Sequence, residues 1–423
     1  MATVAFFPEG AYGPTNNCAG IGAVLRERGH RVVFIVEESF AGTLKARGFE
    51  ERLIRLGPPS EQEEVPGQFW KDFIRDTAPV FRRPTIEQLE LFIAPTFKAL
   101  IDGARYVDDR LRAIFDELGP DVIVEDNVVA FPALEASGRP WVRIVSCNPA
   151  ELKDELVPPV FSGYPTEHRA GWDDYWQEYR RALRPVHDEH DEFCRAAGAS
   201  GLPELDLMNT SSRLNLYVYP QELDYPRAQP LPGPWRALES CVRDEEEAEP
   251  WSPPSGEGPL VYLSLGSLGS ADVDLMQGLI DALAELDEVR VVVSLGPQHE
   301  LLRLPEGLTG AEYLPQTEVL RHAGAVITHG GNNTVTECMH FGCPMIVLPL
   351  FWDQHDNAQR VAERGFGIRL DTYGHEPAEL RAALRRVLGD AALRQRMQEV
   401  SARLRSSPGT ATAAEAIAQL AAG

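Results

Sequence analysis

Hydrophobic positions fall into short continuous runs separated by stretches in which apolar residues recur three or four apart. "VAFF", Val4 to Phe7, is one run. In the following "AYGPTNNCAGIGAVLRERGH", Cys18, Ile21, Val24 and Leu25 recur at helical spacing until Gly29 ends the pattern. Runs such as "VVFIV" fit strands buried on both faces, as in a parallel sheet. "RLRAIFDELGPDVIVEDNVVAFPALEASGRPWVRIVS" reads helix, strand, helix, strand, so residues 1–150 carry the alternation of a parallel α/β sheet. Helical insertions interrupt it at residues 60–115 and 160–200. In the second, Trp172, Tyr175, Trp176 and Tyr179 fall at i, i+3, i+4 and i+7. Such a stripe serves either core packing or the wall of an apolar pocket, and Phe69, Trp70 and Phe73 in "QFWKDF" read the same way.

Residues 226–258 are proline-rich and acidic and lack an apolar period, which predicts a linker. A second strand–helix series opens at "LVYLSLGS" and continues through "VRVVVSLG", "AGAVITHGG" and "CPMIVLPL". The pattern thus predicts an α/β domain over 1–225, the linker 226–258, a second α/β domain over 259–400 and a terminal helical segment, 401–423. Two such domains leave a cleft between them, a common place for a small ligand.

Charge narrows the partners. The chain has 423 residues, with 40 Lys and Arg against 64 Asp and Glu, a net charge of −24. An acidic surface repels phosphate backbones and anionic lipid, so neither nucleic acid nor a membrane surface is expected. No run of about 18 apolar residues is present, and "MATVAFFPEG" lacks the basic start of a signal peptide, so a cytoplasmic protein is expected. The six cysteines are scattered with no CxxC pair, which points to reduced thiols and no metal site.

The densest chemistry lies at residues 313–356, "YLPQTEVLRHAGAVITHGGNNTVTECMHFGCPMIVLPLFWDQHD". A strand, "AVIT", runs into His329-Gly330-Gly331-Asn332-Asn333-Thr334, and a helix follows from about Val335 to Phe341. Glycines at a strand-to-helix turn let a ligand approach the backbone, and free N–H groups at a helix start suit an anion such as phosphate. A tight turn with a capping Asn-Thr is the alternative. Glu337, one turn on, suits a ribose diol. Tyr313 can offer a ring face to a base. Asp353-Gln354 supply acceptors and donors for neighbouring sugar hydroxyls.

This segment resembles the nucleotide-sugar signature of the UDP-glycosyltransferases of family 1. Gln316, His329, Gly331, Asn333, Thr334, Glu337, Pro344, Pro349, Asp353 and Gln354 match it without a gap. A weaker resemblance, through "RGH", "VYLSLGS" and the terminal helix, covers most of the chain, and the branch it looks closest to glycosylates natural products and other apolar acceptors. The resemblance implies an α/β GT-B fold, two Rossmann-like domains with parallel sheets facing across a cleft. It also implies residue roles. Tyr313 would stack on uracil and Leu314 would offer its backbone to the base edge. Gln316 and Glu337 would hold the ribose, and His329, Gly331, Asn333 and Thr334 the diphosphate. Asp353 and Gln354 would hold the hexose, and Ser267 would sit near the phosphates or the acceptor. The plant pattern has Trp at the positions of Tyr313 and Asn332, so stacking area is smaller here and an Asn332 contact with the sugar is in question.

The family's general base is a histidine after the first strand, oriented by an aspartate. Its position here is Pro14, which cannot take a proton. Asp126 stands where the orienting aspartate is expected, at the end of "DVIVED". It is assigned as the base, with capping of a helix near Val128 as the alternative; Glu125 would point to the other face. Glu9 and His355 are weaker candidates. Tyr12 and Pro14 are assigned with Phe69, Trp70 and Phe73 to the acceptor, and Asn16 and Asn17 to capping the first helix. The expectation is an inverting transferase that moves a hexose, glucose by preference, from a UDP-sugar co-substrate to a hydroxyl of an apolar, phenolic or polyketide-like acceptor. It would need no metal or other cofactor and would act as a monomer or weak dimer. The alternative is a catalytically impaired protein of the same fold that binds a nucleotide sugar or apolar ligand.

Overall fold

The computed structural model describes residues 1–58, 77–242 and 251–422. It holds two sheets in which every pairing is parallel. The first comprises β1 (Thr3–Pro8), β2 (Arg31–Glu37), β3 (Glu50–Ile54), β4 (Val122–Asp126), β5 (Trp141–Val145), β6 (Leu214–Tyr217) and β7 (Trp235–Ala237) in the order β3-β2-β1-β4-β5-β6-β7. The second comprises β8 (Leu260–Ser264), β9 (Arg290–Ser294), β10 (Thr309–Ala311), β11 (Ala323–Thr328), β12 (Met345–Val347) and β13 (Gly367–Arg369) in the order β10-β9-β8-β11-β12-β13. This is the α/β GT-B arrangement. Each sheet reverses its winding once, between β1 and β4 and between β8 and β11. At the carboxyl end of each reversal, Pro8 is in register with Asp126, and Ser264 with Thr328. Such switch points are where open α/β sheets bind ligands.

The longer helices are α1 (Tyr12–Glu27), α2 (Ala94–Leu118), α3 (Trp172–Ala196), α4 (Val273–Leu283), α5 (Asn332–Phe341), α6 (Gln354–Glu363), α7 (Pro377–Gly389), α8 (Ala391–Ser406) and α9 (Gly409–Ala421). Alternate residues of the first sheet face different cores. Val4, Phe6, Val122 and Val124 pack with Ile21 and Leu25 of α1 and with Ala413 and Ile417 of α9. Ala5, Phe7 and Ile123 pack with Ile101 and Phe115 of α2 and with Tyr175 and Tyr179 of α3. The aromatic stripe of α3 is therefore mainly core. The second sheet has its own core, which Tyr219 and Leu223 join from the first half. No helix among the described residues is long and apolar enough to cross a membrane.

Several boundaries differ from those read in the sequence. α1 starts at Tyr12, so Asn16 and Asn17 lie inside it and do not cap it. Asn17 is buried and donates to the Ser146 hydroxyl at 3.0 Å, while Asn16 Oδ1 accepts from Arg47 at 3.1 Å. Apolar spacing cannot show this start, because Tyr12, Gly13 and Pro14 precede the first buried face. No helix begins at Val128. The next one starts at Pro132, so Asp126 caps nothing there. β7 lies within the span read as linker. It is a three-residue edge strand, a position proline neighbours tolerate, and the Asn215 N–H donates to the Pro234 carbonyl at 2.8 Å.

Polar side chains of the second half bind backbone of the first. Asp356 accepts the N–H groups of Phe161 (2.6 Å) and Gly163 (2.8 Å). Asn332 Nδ2 donates to the carbonyls of Ser146 (2.8 Å) and Val218 (3.0 Å). Arg360 donates to the carbonyls of Leu223 (2.7 Å) and Asp224 (2.6 Å). Gly163 has φ +62°, and a Cβ there would lie 2.9 Å from His355 Cβ, so only glycine lets these two chain segments meet so closely.

Candidate active site

The two switch points supply the two halves of the site. In the second half, β11 ends at Thr328 and the chain turns through His329, Gly330 and Gly331 into α5, three residues earlier than the sequence pattern placed it. Gly330 has φ +88°, and a Cβ on it would stand 2.6 Å from Val347 Cγ1. Cβ atoms on Gly331 and Gly266 would come within 2.6 and 2.8 Å of the His329 ring. Small backbone thus wraps the imidazole. Burial pushes its pKa down to about 4, against a raising contact with the Ser264 backbone, so His329 is neutral at pH 7 and presents an N–H. The N-cap Gly331 provides no side-chain cap, so the first N–H groups of α5 stay open to an anion.

One turn into α5 the polar side chains form a single cluster. Gln316 Nε2 donates to Glu337 Oε2 at 2.6 Å and to Thr334 Oγ1 at 3.3 Å. Asn333 Nδ2 donates to Glu337 Oε1 at 3.0 Å. The Glu337 carboxylate is buried and fixed in place. Tyr313, three residues before Gln316, is 52% exposed, and Leu314 packs on the second core. Ser267 falls in the short helical turn Gly266–Gly269 directly after β8, and its side chain lies outside the described residues.

Asp353 and Gln354, expected to read the sugar, are more committed to protein than their spacing suggests. Asp353 Oδ2 accepts the Asn148 N–H of the first half at 2.8 Å. Gln354 Oε1 accepts the N–H groups of Leu350 (3.0 Å) and Phe351 (3.2 Å). Asn332 spends its Nδ2 on the interdomain carbonyls, and its Oδ1 is buried with no partner among the described residues.

In the first half, Asp126 is 4% exposed. Its Oδ2 accepts the Ser146 hydroxyl at 2.5 Å, and Ser146 Oγ accepts from Asn17. Burial raises the Asp126 pKa to about 7, with the Ser146 bond opposing and the Glu151 charge adding. Glu9, at the end of β1, is only partly buried, and its N–H donates to the Asp126 carbonyl at 2.9 Å. Its pKa is pushed to about 8 by burial, then by the charges of Asp126, Glu37 and Glu151. Glu125 faces the opposite side of the sheet, in register with Phe7 and Arg143. His355 is no base. Burial and Arg369 push its pKa down to about 3, and its Nε2 lies 3.2 Å from the Leu350 carbonyl oxygen. Pro14 occupies the first turn of α1 and offers no proton acceptor.

A cavity of about 140 Å³ opens on the α2–α3 face of the first sheet. Phe97, Phe161, Leu207 and Trp352 give it apolar walls, and the ion pairs Arg143–Glu151 and Lys153–Asp206 a polar side. Tyr12 and Pro14 do not line it, because α1 packs on the other face of the sheet. Phe69, Trp70 and Phe73 lie outside the described residues. The sequence analysis missed every wall of this cavity except Tyr179. The one available signal was Trp352, directly before Asp353.

Residues 277–420 match the family described as erythromycin biosynthesis protein CIII-like, C-terminal domain. The chain is 24% identical over 427 residues to the demethyllactenocin mycarosyltransferase of Streptomyces fradiae, covering 99% of this chain and 86% of that protein. It is 28% identical over 348 residues to the zeaxanthin glucosyltransferase of Pantoea ananas, covering 78% and 79%. The crystal structure of the glycosyltransferase of kitacinnamycin superposes with a TM-score of 0.70 at 22% identity, over 99% of this chain and 98% of that one. With both sheets in the GT-B arrangement, these matches support a glycosyltransferase of the natural-product type.

Proposed function

We propose that this enzyme moves a hexosyl group, glucosyl in the first instance, from a UDP-sugar to a hydroxyl of a small apolar acceptor, with inversion. The observation that carries the reading is the glycine-wrapped His329 beside the open start of α5, with the fixed Gln316–Glu337 pair one turn away. A diphosphate on those N–H groups and on His329 would leave as the acceptor oxygen bonds to the anomeric carbon. The C1–O bond to phosphate breaks, and its electrons stay on the diphosphate, where the helix start stabilises them. The acceptor proton passes to a carboxylate of the first switch point. Asp126 is our choice, held by Ser146 and tuned near neutrality. Asp353 and Gln354 would read the sugar through atoms not spent on backbone, and Asn332 Oδ1 offers one more acceptor. The reading asks for no metal and no cofactor beyond the sugar donor.

The cavity, which Glu151 lines and Asp126 does not, supports a reading of the acceptor. At about 140 Å³ it takes one aromatic ring between Phe97, Phe161 and Trp352, which favours a phenol or the phenolic end of a larger molecule. A phenol also asks less of a carboxylate base than an alcohol does. One relative is named for mycarosyl and another for glucosyl transfer, so the donor is tested directly. The enzyme is incubated with UDP-glucose, dTDP-glucose and a dTDP-deoxysugar against a panel of phenols and alcohols, with product mass and anomeric configuration as readouts. A β-glycoside of a phenol made from UDP-glucose is the expected result. Turnover only from a deoxysugar donor overturns the choice of sugar, and no turnover with any pair overturns the reading.

A further inference from the structure

Tyr12 is 54% exposed and Tyr313 is 52% exposed, each at the start of its own half of the site. Tyr12 is the first residue of α1, and its ring is backed by Phe40 at a centroid distance of 5.4 Å. The first turn of α1 meets the first turn of α5: a Cβ built on Gly13 would lie 3.7 Å from Asn333 Cβ. Asn333 donates to Glu337, Glu337 accepts from Gln316, and Gln316 stands three residues from Tyr313. The residue after Tyr12 thus meets one end of this polar cluster, and Tyr313 stands three residues from the other end. Burial, and after it the neighbouring Tyr12 phenol, raises the Tyr313 hydroxyl. Neither ring is used for packing by its own half to the extent its size allows, since about half of each faces water.

We propose that Tyr12 belongs to the donor site and closes over the face of the nucleobase opposite Tyr313, so that one aromatic from each domain holds the base. The inference rests on the nucleotide-sugar reading above and moves Tyr12 from the acceptor to the donor. A flat heteroaromatic base offers two π faces, and Tyr313 covers one. A tyrosine on α1 covers the other with the same chemistry, which supplies the stacking area that a single tyrosine gives less of than a tryptophan. Both contacts need the ring and not the hydroxyl.

The test is calorimetric titration of the 423-residue chain with UDP, with dTDP and with inorganic pyrophosphate. Tyr12→Ala is expected to weaken UDP by roughly 5- to 160-fold, the span of one base stack, and to leave pyrophosphate unchanged. Tyr12→Phe is expected to stay within about two-fold of the parent, as stacking alone requires. Tyr12 is exposed, so the variants fold, and an unchanged melting curve confirms it. Equal UDP affinity in Tyr12→Ala and the parent, or a rise only in the acceptor KM, overturns the clamp. Equal losses in Tyr12→Phe and Tyr12→Ala also overturn it, in favour of a hydroxyl contact. A parent enzyme that binds neither UDP nor dTDP overturns the nucleotide reading itself, which separates the two failures.

Discussion

Ser146 donates its hydroxyl to Asp126 Oδ2 at 2.5 Å while accepting from Asn17, so the carboxylate proposed as the base is oriented from the residue that follows strand β5 and from helix α1. A carboxylate held in this way needs no imidazole to aim it. Asp126→Asn keeps the volume and the Ser146 contact but removes the proton acceptor. Its kcat is expected to fall by about 10²- to 10⁴-fold, with the donor KM little changed. If Asp126→Asn turns over normally and Glu9→Gln does not, the base is Glu9. Both rates come from UDP release under saturating donor.

Ser146→Ala removes a bond that lowers the Asp126 pKa. The alkaline-going limb of the kcat/KM profile, expected near pH 7 from the Asp126 value of about 7, should therefore move to higher pH. A profile that stays in place would detach Asp126 from the rate.

Activity and stability should run in opposite directions with pH. Asp126, Asp353 and Asp356 are raised to about 7 in the fold, and Glu9 to about 8, from ordinary values of 3.8 and 4.5. Between those limits the folded chain holds protons that the unfolded chain has released, so stability falls as pH rises. The contribution is complete below about pH 4 and is lost through pH 7 to 8. The urea midpoint should be higher at pH 5.5 than at pH 8.5, where kcat/KM is larger. Equal midpoints would mean that these carboxylates are ionised in the folded state.

Asp356 closes the interface by accepting two N–H groups, those of Phe161 and Gly163. Asp356→Ala leaves both buried donors unpaired. Each such group costs about 1–3 kcal/mol, so Tm should drop by several degrees in a melting scan. A variant as stable as the parent would show that water replaces the carboxylate at that junction.

Gln316→Ala removes the 2.6 Å bond to Glu337. The donor KM should rise by about ten-fold, the cost of roughly one charge-assisted bond, with kcat for a saturated enzyme nearly intact. An unchanged donor KM would remove the pair from the ribose.

The parallel sheets were legible in the sequence because strands such as "VVFIV" are apolar on both faces. The donor motif was legible because its residues lie in one segment of 44 positions, 313–356. What escaped the sequence is what spacing cannot encode. Asn17 read as a cap because asparagine often caps, yet its partner Ser146 is 129 residues away. Asp353 read as a sugar ligand and Asn332 as a donor-site residue whose sugar contact was in question, and their bonds to Asn148 and Ser146 form only where the two domains meet. The cavity walls Phe97, Phe161 and Trp352 come from three distant segments, and no local period marks them.

α9 closes the chain inside the core where β1 opened it, with Ala413 and Ile417 packed beside Val4 and Phe6. The nucleotide half is therefore an insertion within the first domain, and the backbone crosses between them twice, once before β8 and once between α8 and α9 near Pro408. Any widening of the cleft must flex both crossings together. Two tethers define one axis, and a swing about it strains the crossings less than a twist or a slide would. Such a restriction would keep Asp126, the base proposed above, in one alignment with the donor half at any closure.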